Sequence, residues 1–182
     1  MEIAEAQRDV RSVFLGGFAG QLVSSVIWFA SAAVGVWKSP RAGMAVLMIA
    51  GFFIFPLTQL VLRAMGGPAG LPKGHPMNAL GMQVAFVLPL ILPLVFAATA
   101  YRTNWFYPAL MIALGAHYLP FIFLYGMWQF GALAALLIAG GVVLGLYFPQ
   151  TFSAGGWVTA GLLLGFAFLG KQAAKPRSLE AT

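Results

Sequence analysis

No aspartate or glutamate occurs between Val10 and Leu179. A water-soluble fold needs charge to solvate its outside, and roughly a quarter of its residues supply it. Here 8% of residues are charged and 61% are hydrophobic. The outer solvent of such a chain is hydrocarbon, where every backbone polar group has to be satisfied within the protein. Helices of about 20 residues do this while crossing a core of roughly 30 Å. The expected fold class is therefore all-α: a polytopic integral membrane bundle of six helices with both termini cytoplasmic.

Six stretches meet the length requirement or come near it: 12–37, 41–65, 77–100, 105–125, 129–148 and 152–170. From Trp105 to Phe148 there is no charged residue. As one helix that run would be about 66 Å long at 1.5 Å per residue, so it must fold back. Its polar, Gly-containing break is Tyr125-Gly126-Met127-Trp128-Gln129. Residues 1–11 are expected as a cytoplasmic segment with a helical turn or two, Ile3, Ala6 and Val10 on one side. Residues 171–182 are expected as a frayed polar tail. Ala30-Ser31-Ala32 is similar to a signal-cleavage site. The apolar run is too long for one, however, and Glu2, Glu5 and Asp9 spoil its basic leader, so the first span is expected to be retained.

An even number of crossings puts both ends on one side. Arg8, Arg11, Arg63, Lys73, Lys171, Lys175 and Arg177 fall there, against Lys38, Arg41 and Arg102 opposite. The excess of basic residues marks the cytoplasmic side. Trp37, Tyr101, Trp105, Tyr107, Trp128 and Tyr147 lie near expected span ends, as interfacial aromatics do. The net charge of +6 does not point to nucleic acid, because the basic residues sit at chain ends and short connections. The partner they suit is the lipid bilayer.

The same composition excludes several chemistries. With no cysteine there is no disulfide, thiolate metal site or cysteine nucleophile. With no intramembrane carboxylate there is no paired-acid hydrolysis and no acid-based cation coupling. His75 and His117 are the only histidines, too few without other ligands for a zinc site in one chain. Lys73-Gly74-His75 lacks the Gly-Lys-Ser/Thr ending of a phosphate loop. No cofactor, metal or catalytic set is expected.

What remains is neutral polarity. Counting 1.5 Å per residue from each span's midpoint, Gln21, Gln83 and Gln59 lie about 5, 8 and 9 Å to the cytoplasmic side, with His117 near the midplane. Thr58, Asn78 and Tyr118 share that half. Exposed to lipid, such groups are costly, so they should face inward, either as interhelical glue or as the wall of a cytoplasm-open cavity. Arg63 near the end of the second span suits an anion or a lipid phosphate, or snorkels to the headgroups. Ser24 and Ser25 lie at the depth of His117, but no acid is present to orient an activated base.

Small residues give faces where helices approach closely: Gly16, Gly20 and Ser24; Gly131, Ala135 and Ala139, then Gly141 and Gly145; Gly156 and Ala160, then Gly161 and Gly165. They serve equally for packing within the chain, for a homo-oligomer or for a membrane-protein partner. Pro56, Pro89, Pro93 and Pro120 lie inside spans and bend them. Gly51 to Pro56 echoes Gly115 to Pro120 at an offset of 64, which a duplicated two-helix hairpin would produce, as would coincidence in apolar sequence.

Four strings carry a resemblance: Met1 through Asp9 (MEIAEAQRD), Gly51 through Arg63 (GFFIFPLTQLVLR), Asn104 through Pro108 (NWFYP) and Gly115 through Met127 (GAHYLPFIFLYGM). Together they resemble an uncharacterised family of small bacterial multi-pass membrane proteins. The resemblance implies a bacterial inner membrane and implies no activity. The residues themselves suggest passive movement of a small neutral or anionic solute along Gln21, Gln59, Gln83 and His117. A scaffold or accessory subunit is the alternative, and a lipid-acting enzyme with His117 as base stands behind both.

Overall fold

The computed structural model describes residues 2–68 and 70–174. Among them are eight α-helices and no strand: α1 (Ile3–Val13), α2 (Phe18–Trp37), α3 (Pro40–Gly51), α4 (Ile54–Ala64), α5 (Met77–Tyr101), α6 (Phe106–Tyr125), α7 (Gln129–Tyr147) and α8 (Ala154–Ala173). Five stretches are long and apolar enough to cross a membrane: Leu15–Trp37, Met77–Tyr101, Thr103–Tyr125, Gln129–Tyr147 and Ala154–Ala173. The chain is a multi-pass membrane protein.

The stretch expected as one span over 41–65 is two half-helices, α3 and α4, bent by 58°. Ser39 starts α3 by accepting the Ala42 N–H at 3.2 Å, with Pro40 in the first turn. The break comes from Pro56. It has no N–H to offer the Phe52 carbonyl four residues back, and its ring crowds that carbonyl. A Cβ on Gly51 would meet nothing within 4 Å, so no neighbour holds the chain straight there. The equivalent Gly115 is pressed on α7, 2.6 Å from Ile138 and 2.9 Å from the Ala134 carbonyl in the same sense. There α6 runs unbroken through Pro120. The two echoed strings therefore have different backbones.

Small residues set the closest contacts. On α7, a Cβ at Gly141 would lie 2.7 Å from the Pro108 carbonyl of α6. On α8, Gly156 meets Ala32 of α2, and Ser25 of α2 donates to the Ala160 carbonyl at 2.7 Å. Gly43 of α3 lies against Gly35 and Ser31 of α2. Ser31 donates its one proton to the Gly43 carbonyl at 2.8 Å, so Tyr107 of α6 is the donor in the 2.6 Å bond between the two hydroxyls. This chain of bonds pins α2, α3 and α6 at one buried point. The α4 half-helix also lies along α2, and α5 lies along α6. Only 11% of the apolar window of α5 is buried, so most of its surface is left to lipid.

The first span does not run continuously from residue 12. Leu15, Gly16 and Gly17 all have positive φ (51°, 64° and 86°), which ends α1 and starts α2 in a new direction. Gly16 is thus outside the helical face expected with Gly20 and Ser24, and its backbone touches that of Gly170 on α8. The N-terminal helix is longer than a turn or two. It buries Ala6 and Val10, but Ile3 is 61% exposed. Its polar side chains close the carbonyl end of α6: Gln7 donates to Phe123 at 2.6 Å and Arg11 to Tyr125 at 2.7 Å. Gly126 ends α6 at φ 62°, and any side chain there would collide with Gln7 and Arg11. His75 joins the same end. Its Nδ1 accepts the Met77 N–H, which leaves the Nε2 proton facing Asp9 at 3.4 Å. Lys171, Gln172 and Ala173 extend α8 rather than fraying. The rest of the expected tail, with Lys175 and Arg177, lies outside the described residues.

Candidate functional site

Three helices curve around a cavity of about 140 Å³. From α2 it takes Gly20, Gln21 and Ser24, neighbours on one side of the helix, and from the turn before it Gly17. From α4 come Ile54 and Thr58, one turn apart, just past the Pro56-induced break. From α6 come His117, Tyr118, Phe121 and Tyr125, and Phe14 and Phe130 complete the wall. The glycines keep it open. A Cβ at Gly20 would only just reach Thr58, at 3.8 Å.

Three buried polar atoms on this wall have no hydrogen-bond partner: Gln21 Oε1, Thr58 Oγ1 and His117 Nδ1. Gln21 is 3% exposed. Native proteins leave few buried polar groups unpaired, because each costs about 1–3 kcal/mol. Here three of them belong to residues that line one hollow. A fourth unpaired atom, Thr159 Oγ1 on α8, is not part of this wall. Among the described residues, no Asp, Glu, Lys or Arg lines the cavity. Ser24 shares it with His117, but Nδ1 of that ring has no partner, and no carboxylate is there to orient a base.

Four aromatic rings cluster on one part of the wall. Tyr125 stands 4.7 Å from Phe130, 5.6 Å from Phe121 and 6.5 Å from Phe14, centroid to centroid. Arg11, Ser12 and Gly126, close in the chain to Phe14 and Tyr125, line a second hollow of about 470 Å³, together with Arg8, Trp128 and Ala173.

Of the residues singled out from sequence, Gln21 and His117 meet in the cavity. Gln59 is half-buried and outside the wall, because its neighbour Thr58 takes the inward position on α4. Gln83 is exposed, because the buried position of that turn of α5 is Val84, about 100° around the helix. Arg63 is exposed at the end of α4. Asn78 is tied to the preceding loop through the Pro72 carbonyl. Thr58 and Tyr118, expected at the same depth, are also on the wall, as are Ser24 and Tyr125, which were not among the groups expected to line it. The four-residue spacing of Gly20 and Ser24, with Gln21 beside them, was the available signal for Ser24.

A family model matches residues 3–171, from the first residue of α1 into the last turn of α8. The chain belongs to DUF7010, a family of unknown function. The DUF7010 match takes in every wall of the cavity as well as α1. Comparison with curated proteins and with solved structures finds no match.

Proposed function

We propose that this DUF7010 protein crosses a bacterial inner membrane six times, with both termini cytoplasmic, and passively conducts a small neutral or anionic solute through its polar cavity. The carrying observation is the set of three unpaired polar atoms around one hollow. Interhelical glue would bond these groups to one another. Six crossings count α3 and α4 as one broken span. Irregular backbone within a membrane is tolerated where it lines a cavity, and α4 puts Ile54 and Thr58 on the cavity wall. Arg8, Arg11, Arg63, Lys73 and Lys171 would then face the cytoplasm, in keeping with the basic bias of that side. In liposomes carrying the purified protein, solute uptake is expected to exceed that of empty vesicles and to fall with His117→Ala. Equal background uptake for both proteins would remove this reading.

One observation favours a second role, as a scaffold. Most of the small-residue faces are consumed inside the chain. Gly161 and Gly165 on α8 are exposed four residues apart, and a Cβ on either meets nothing within 4 Å. A helix of a second copy or of another membrane protein fits such a face. Because the chain has no cysteine, Gly161→Cys supplies a single reporter. Oxidation in native membranes is expected to yield a disulfide-linked dimer if the occupant is a second copy. A chain that stays monomeric and accessible to maleimide would count against any occupant.

A further inference from the structure

We propose that the inner cavity is a binding site for uncharged molecules that both donate and accept hydrogen bonds, small amides, ureas and polyols being the chemical class, and that it rejects ions of either sign. This rests on the solute-passage reading and narrows it, since charge composition alone left anions open.

The wall is the first reason. Its polar groups are an amide, an imidazole and hydroxyls, and no side chain of fixed charge is among them. An ion entering such a site leaves its hydration shell with no opposite charge to replace it, and that loss is large in a low-dielectric interior. A neutral molecule loses only hydrogen bonds to water, which the wall returns. Gln21 Oε1 accepts, Thr58 Oγ1 does both, and His117 Nδ1 does either according to tautomer.

The aromatic part of the wall is the second reason. Phe14, Phe121, Tyr125 and Phe130 line the cavity beside its polar groups. Apolar surroundings of this kind shed water and so disfavour hydrated ions. Size is the third. About 140 Å³ far exceeds the roughly 10–15 Å³ that admits one water, yet suits a molecule of only a few heavy atoms.

Acetamide and acetate test the idea, because they share a shape and differ in charge. With purified full-length protein in liposomes, acetamide, urea and glycerol entry would be followed by osmotic swelling. Acetate and chloride would be followed by current across planar bilayers. A several-fold rise over protein-free membranes is expected for at least one neutral solute, with no protein-dependent current. Gly20→Leu, which grows a side chain into the cavity, is expected to return entry to background, and Ser24→Leu provides a second plug from the same helix. An acetate or chloride current that either plug removes would overturn the inference and leave solute passage standing. If nothing crosses, passage falls, and the imidazole resonances of His117, assigned by their loss in His117→Ala, decide the rest. Movement with acetamide alone upholds the neutral site, while movement with both or with neither overturns it.

Discussion

Gly16→Val will leave little folded protein to purify. Two costs add at that position. The backbone has φ 64°, where a side chain is disfavoured by roughly 1–2 kcal/mol, more for a β-branched one. A Cβ would also drive into the backbone of Gly170, which has no rotamer with which to yield. Separating α2 from α8 would pull the Ser25 hydroxyl from the Ala160 carbonyl and Gly156 from Ala32. The expected result is loss of the monodisperse species on size exclusion in detergent. Gly20→Ala is the control. It adds a side chain to a glycine four residues on, inside α2, with a Cβ in ordinary contact 3.8 Å from Thr58, and it should purify as wild type. A well-folded Gly16→Val protein would show that the Gly16–Gly170 approach is not a point of support.

His117→Leu is expected to unfold at a higher temperature than wild type while ending passage. The imidazole keeps Nδ1 buried and unpaired, at a cost of about 1–3 kcal/mol, and leucine fills similar space without a polar atom. A gain of roughly 1–2 kcal/mol on thermal denaturation in detergent is the expected size. Ser31→Ala should move the other way by a similar amount, because it strands the buried Tyr107 hydroxyl and removes the bond to the Gly43 carbonyl. The opposite signs separate a polar group retained for function from one retained for the fold. If His117→Leu destabilises the protein as Ser31→Ala does, His117 holds helices together and the cavity loses its argument.

The long helices were legible because apolar run length is a physical requirement of the bilayer. The uncharged run from Trp105 to Phe148 had to turn, and it turns at Gly126. Breaks were less legible. Pro56 announced a bend, but an interior proline breaks the helix at one site and is absorbed at another. The difference is whether a neighbour presses on the helix, as α7 does at Gly115 and nothing does at Gly51. The kink at Leu15–Gly17 was hidden because Gly16, Gly20 and Ser24 read as a continuous stripe. Within the site, depth could be counted from sequence and rotation could not. In soluble helices, polarity marks the outside. In α5 the polarity rule for membranes pointed Gln83 inward, yet Val84 takes the buried position. Gln21 was different, because Gly20 and Ser24 marked its side of α2.

The bonds from Gln7 and Arg11 to the end of α6 have a consequence for biogenesis. Their acceptors lie 116 and 114 residues later in the chain. At roughly 10 residues per second, the N-terminal helix leaves the ribosome about ten seconds before its anchorage exists. Through that interval it is an amphipathic segment without a protein surface, and the headgroup layer is where such a segment rests. Its recruitment to the completed C-terminal half is thus a late act of assembly, and the order of synthesis imposes it.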